Sequence, residues 1–163
     1  MNLNIQPNEL YLLPILILVG FLQEIIILQA AFLSLKLRVP VRATIIPAII
    51  LAFLAPTIRQ IIPPPFQILP NIFLIIMFIW GIPRVKFKYA LPFRYALLSG
   101  LFVESVIILF TVAISVFFLK TYRSFLFERV LGYSIGVIIE TLPVVALVCF
   151  LKKHTKEKAI NLQ

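Results

Sequence analysis

Three glutamates lie in the middle of long apolar stretches, where a carboxyl group is costly and therefore informative. Glu24, Glu104 and Glu140 are each flanked on both sides by aliphatic and aromatic residues. A charged side chain at the centre of a bilayer costs about 3 kcal/mol even on the most lenient insertion scale, and such residues usually face a bundle interior and mark ligand sites or proton pathways. The alternative is a neutral glutamic acid that hydrogen-bonds between helices and holds them together. The pattern leaves both interpretations open.

Three further features of the apolar stretches bear on chemistry. Arg59 is the one basic residue inside such a stretch, and it either extends to the interface or pairs with a glutamate or a ligand carboxylate. Gly132 and Gly136 form a GxxxG motif, which lets two helices approach closely. Cys149 and His154 are five residues apart, about 140° apart around a helix, so a cysteine nucleophile with a histidine base is not favoured.

The residue inventory excludes several classes of enzyme. The sequence has no Asp, one His and one Cys, which is too few for a protein-ligated zinc or iron site and rules out a Ser-His-Asp triad. The glycine-rich phosphate-binding motifs are absent as well. We therefore expect no metal, no cofactor and no enzymatic activity.

Composition indicates an integral membrane protein. Of 163 residues, 62% are hydrophobic and 13% are charged, and the mean hydropathy is +1.10. A soluble domain of this size needs more polar surface. A membrane-spanning helix takes about 20 mostly apolar residues, and five stretches meet this requirement, at residues 10–35, 43–62, 66–82, 95–119 and 130–151. The prediction is an all-α bundle of five transmembrane helices over residues 10–151, with tails at 1–9 and 152–163.

The distribution of basic residues predicts the orientation of this bundle. With the N-terminus outside and the C-terminus in the cytoplasm, eleven of the 15 basic residues fall on the cytoplasmic side, as the positive-inside rule requires. The exception is the fourth loop, which has Lys120, Arg123 and Arg129. The net charge of +9 then acts beside an anionic leaflet, and the partner it predicts is the lipid bilayer and not a nucleic acid.

The order of polar landmarks resembles that of a known family. The landmarks are Glu24 in the first helix, a basic loop with Lys36 and Arg38, segments 58–63 and 65–67, an uncharged third helix, Gly100 and Glu104 in the fourth, and segment 129–132. This order resembles the N-terminal five-helix sensor region of Gram-positive histidine kinases, including the peptide-pheromone receptor type, over about residues 5–151. Those kinases continue into a histidine-bearing dimerisation helix and an ATP-binding domain, whereas this sequence ends at Gln163. The resemblance implies a sensor-like module of a bacterial cell membrane, without kinase activity.

The leading hypothesis is therefore a non-enzymatic, multi-pass membrane protein that resembles a sensor. Its helix bundle would bind a peptide or small-molecule ligand, another membrane protein, or a second copy of itself. The polar residues expected to take part are Glu24, Glu104, Glu140 and Arg59, with Gly132 and Gly136 in helix packing. The alternatives are a small membrane subunit of a transporter or proton-coupled permease, in which the glutamates relay protons, and a scaffold of cell-envelope machinery.

Overall fold

The fold is a bundle of helices, as the sequence predicts. The computed structural model describes residues 13–61, 68–118, 130–154 and 160–161. In this part of the chain the helices are α1 (Leu13–Ser34), α2 (Val41–Ile61), α3 (Ile68–Phe87), α4 (Phe93–Phe118) and α5 (Val130–His154), and two short strands are β1 (Leu37–Arg38) and β2 (Ile160–Asn161). The all-α class is confirmed.

Three of the described helices are long and apolar enough to cross a membrane. The qualifying segments are Ile17–Ser34, Leu69–Phe87 and Phe93–Phe110, and α2 contains a shorter apolar segment, Val41–Leu54. Large hydrophobic side chains are exposed along the outer faces of these helices, which suits a lipid environment. These features agree with the membrane protein that the composition indicates.

Helix α3 extends further than the sequence predicts. The predicted span ends at residue 82, before Pro83, but the helix includes Pro83 and continues to Phe87. Proline removes one backbone donor and crowds the preceding turn, yet membrane helices tolerate it where neighbours pack around it, and Pro83 is fully buried. The helix ends where Lys88 adopts a left-handed φ of 53°, and the Tyr89 N–H donates to the Pro83 carbonyl at 2.9 Å.

Helix α1 ends in a similar way. Lys36 has a φ of 58°, and its N–H donates to the Leu33 carbonyl at 2.9 Å. The left-handed region costs a residue with a Cβ about 1–2 kcal/mol, so glycine is the usual residue at such helix ends. Two lysines therefore terminate helices at positions that glycine fits with less strain.

Helix α1 is the central helix of the bundle. It contacts each of the other four described helices, while α3 packs against α2 and α4, and α4 packs against α5. Its second half is enclosed, and Leu28, Ala30, Ala31 and Phe32 are fully buried. Small residues such as these alanines allow close approach of neighbouring helices.

Five helix ends meet at one end of the bundle. Strands β1 and β2 pair in parallel, with Leu37 opposite Ile160, so the segment after α5 joins the α1–α2 connection. Ser34 at the end of α1 contacts α4 near its start, and the ring of Trp80 on α3 contacts Phe93. We call this the basic end, because it presents nine exposed basic side chains: Lys36, Arg38, Arg42, Arg84, Lys86, Lys88, Arg94, Lys152 and Lys153.

Candidate functional site

Two of the predicted glutamates are buried at contacting helices. Glu24 on α1 is 6% exposed and Glu104 on α4 is 8% exposed, and the two helices pack against each other. Both side chains thus occupy the bundle interior, where the sequence placed them. A carboxyl in such surroundings is retained only where it is neutral, paired or engaged by a ligand.

The two glutamates lie at different depths. The hydroxyl oxygens of Ser34 and Ser99 are 2.8 Å apart, which places these residues of α1 and α4 at the same level. Glu24 precedes Ser34 by ten residues, and Glu104 follows Ser99 by five. At a rise of 1.5 Å per residue the glutamates are offset by about 7–8 Å along the helix axes. The two buried carboxyl groups are therefore at different levels of the bundle.

The serine contact belongs to a small hydrogen-bonded triangle. Ser34 Oγ lies 2.8 Å and Ser99 Oγ 2.7 Å from the carbonyl oxygen of Ala31, in addition to their contact with each other. Two hydroxyl groups have two protons, so they satisfy two of these three contacts at a time. The triangle aligns α1 with α4, and the sequence analysis did not single out either serine.

A second polar contact connects α1 with the strand at the basic end. Gln29 Nε2 donates to the Val39 carbonyl at 3.3 Å and to Thr44 Oγ1 at 3.5 Å. Thr44 is fully buried, and its hydroxyl donates to the Val41 carbonyl at 2.8 Å. Since Val39 directly follows β1, the side chain of Gln29 links the core of α1 to the β1–β2 pair.

The other predicted site residues fall outside the described side chains. Glu140, Gly132 and Gly136 belong to α5 and Arg59 belongs to α2, but the structure describes only their backbone. The residue after Glu140, Thr141, is buried at 9% exposure on a helix that packs against both α1 and α4.

Metal and thiol chemistry receive no support from the described residues. In that part of the chain, no group of three or more His, Cys, Asp or Glu side chains is placed to hold a metal ion. Cys149 is a free, exposed thiol on α5, and the side chain of His154 lies outside the description. The buried polar side chains that the structure describes are carboxyls and hydroxyls, which can bind a proton, a cation or a basic group of a ligand.

A cavity of about 540 Å³ lies between α1 and α2, far from the basic end. Only apolar side chains line it, namely Pro14, Ile17, Leu18, Phe21, Ile49, Ala52 and Phe53. It offers no polar side chain to orient a ligand, and it is separate from the buried glutamates.

The class of protein follows from these features: an all-α bundle with three helices of membrane-spanning length and apolarity and with buried carboxyls on α1 and α4. No protein-family model, no curated protein and no solved structure matches the chain. Any narrower assignment depends on the residues themselves.

Proposed function

We propose that this chain is a non-enzymatic, sensor-like module of the cell membrane, with five spans, an external N-terminus and a cytoplasmic C-terminus. In this proposal a ligand or a partner membrane protein engages the buried carboxyls of the bundle. The resulting change in helix packing reaches the cytoplasmic end. The resemblance to sensor regions of histidine kinases agrees with this role.

The observation that most supports the proposal is the path of contacts from α1 to β2. Glu24 and Gln29 are five residues apart on α1, Gln29 bonds to Val39, and β1 pairs with β2. A shift of α1 relative to α2 would therefore act directly on β2. Interhelical hydrogen bonds in membranes are worth about 0.6 kcal/mol on average, so the serine and Gln29 contacts permit such a shift at modest cost.

A second candidate function is a subunit of a proton-coupled permease. The offset of about 7–8 Å between Glu24 and Glu104 favours it, because proton relays use carboxyls at successive depths. The two functions differ in whether the chain moves protons.

Topology reporters test the arrangement of spans. We expect a reporter fused after Gln163 to be cytoplasmic and one placed before Leu10 to be external, because most basic residues then face the cytoplasm. Reporters in segments 36–42 and 84–94 should also be cytoplasmic, like the reporter after Gln163. Finding both ends on one side of the membrane would contradict the five-span proposal.

Reconstitution and cross-linking separate the two functions. In liposomes with a trapped pH dye and an imposed potential, we expect the purified chain to produce no proton flux above empty vesicles. In cells, cross-linking at the exposed face of α4 should capture a second membrane protein or a second copy of the chain, since the proposed sensor transmits its signal through helix contacts. A flux that disappears in Glu104→Gln would support the permease, and a strictly monomeric chain in membranes would contradict the sensor.

A further inference from the structure

Positive charge is concentrated where α3 ends, along the connection to α4, and where α4 begins. This segment, residues 84–94, has four exposed basic side chains, Arg84, Lys86, Lys88 and Arg94. The acidic side chains that the structure describes, Glu24 and Glu104, are both buried in the core. The exposed charge of this segment is therefore of one sign, and basic groups near a membrane surface attract anionic lipid.

Arg84 is held in position by the protein. Its guanidinium lies over the ring of Trp80, 4.5 Å from the ring centre, and its Nε donates to the Leu91 carbonyl at 3.3 Å. The edge of Phe93 supports the Trp80 ring, with centroids 6.1 Å apart at 83°. Among the described residues the two terminal amino groups of Arg84 make no other hydrogen bond, and Arg84 is exposed. A planar fork fixed in this way suits two oxygens of one phosphate group and loses little entropy on binding.

Apolar surface adjoins this charge. Val85 is 84% exposed, and Phe93 and Tyr95 are 45% and 42% exposed. One apolar span ends at Phe87 and the next begins at Phe93, so the connection lies at the level where headgroups meet acyl chains, a depth that aromatic side chains favour. A ligand that satisfies both surfaces has a phosphate joined to hydrocarbon, which a nucleic acid does not.

We propose that residues 84–95 form a binding site for the headgroup of an anionic phospholipid, with Arg84 as the phosphate-binding residue. Lys86, Lys88 and Arg94 supply the surrounding positive charge, and Val85, Phe93 and Tyr95 contact the glycerol and upper acyl region. This site is independent of the proposed signalling role, since it requires only that α3 and α4 lie in a bilayer.

The chain contains its own probe, because Trp80 is its one tryptophan and its ring contacts Arg84. The full chain is reconstituted in phosphatidylcholine with brominated acyl chains, which quench nearby tryptophan fluorescence. Unbrominated phosphatidylglycerol or phosphatidylcholine is then added in equal amounts. We expect phosphatidylglycerol to relieve quenching about fivefold more effectively than its mole fraction predicts. Equal relief by the two lipids would overturn the proposal.

Matched variants locate the effect. Arg84→Gln should reduce the preference for phosphatidylglycerol to near unity, whereas Arg42→Gln, which removes an exposed charge on α2 at the same end, should leave it unchanged. An equal loss in both variants would mean diffuse attraction and would overturn the site. Arg84→Gln is informative only if it leaves the unfolding temperature in phosphatidylcholine unchanged. If it does not, Lys88→Gln and Arg94→Gln replace it as the test, and the proposal requires that both lower the preference for phosphatidylglycerol.

Soluble competitors distinguish lipid from other phosphates. Excess inorganic phosphate or a short DNA oligonucleotide should not reverse the effect of phosphatidylglycerol on Trp80 quenching. Reversal by phosphate would indicate a site for the free anion, and reversal by the oligonucleotide would indicate a nucleic-acid surface. Either result would contradict a lipid site.

Discussion

Gly100→Ala is expected to destabilise the bundle by about 1–3 kcal/mol, the usual cost of overpacking a filled core. Gly100 lies on α4 against α3, and a Cβ built on it would come within 2.6 Å of Ile76 Cγ1. Ile76 is buried at 4% exposure and branched at Cβ, so its Cγ1 has few alternative positions. The helices must therefore separate, and the midpoint of thermal unfolding in detergent should fall.

Two controls connect this loss to the α3–α4 contact. Gly81→Ala on α3 should be neutral or slightly stabilising, because nothing lies within 4 Å of a Cβ at that position and alanine is the better helix former. In an Ile76→Ala background the Gly100→Ala change should cost almost nothing further, since the clashing atom is gone. Equal losses from Gly100→Ala with and without Ile76 would show that the close approach is not the cause.

The second large effect is expected from Glu104→Gln, which should leave folding intact and remove function. Gln keeps the shape and a hydrogen-bonding carbonyl, so a purely structural role predicts a change of only about 0.6 kcal/mol. A hydrogen bond to a charged group is worth about 1.5–3 kcal/mol, so loss of the charge should lower capture of the partner by about tenfold or more. The measurement pairs cross-linking yield with expression level and unfolding temperature.

The remaining glutamates and a neighbour complete this experiment. Glu140→Gln should behave like Glu104→Gln, while Glu24→Gln should have a smaller effect because Gln23 beside it can share its role. Ser105→Ala is the matched control, since Ser105 is exposed on α4 and, within the described part of the chain, its hydroxyl bonds to the Leu101 carbonyl of its own helix at 2.7 Å. Wild-type behaviour of all three Gln variants would leave the glutamates a structural role.

Hydropathy predicted the helices well because crossing a bilayer requires long apolar stretches with few alternatives. It ended the third span too early, since the span was limited to an uncharged stretch, whereas the helix continues through Arg84 and Lys86 to Phe87. No sequence pattern predicted the pairing of β1 with β2, because each strand has only two residues and the strands are far apart in the chain.

The candidate site was predictable in its residues and less so in its geometry. Burial of Glu24 and Glu104 follows from the cost of a carboxyl facing lipid. Their offset does not, because it depends on the register between α1 and α4, which the Ser34–Ser99 contact reveals. The fixed position of Arg84 likewise depends on Trp80 and Leu91 meeting it in the folded chain.

Lys36 and Lys88 combine a left-handed backbone conformation, which favours glycine, with a positively charged side chain. Glycine at both would relieve the backbone by about 1–2 kcal/mol each, but it would also delete two basic side chains of the kind that orients membrane helices by the positive-inside rule. Biogenesis and folded stability thus oppose each other at these residues. Under the proposed topology, variants selected for heat resistance alone would gain stability at Lys36 and Lys88 but lose positive charges that help newly made chains to orient in the bilayer.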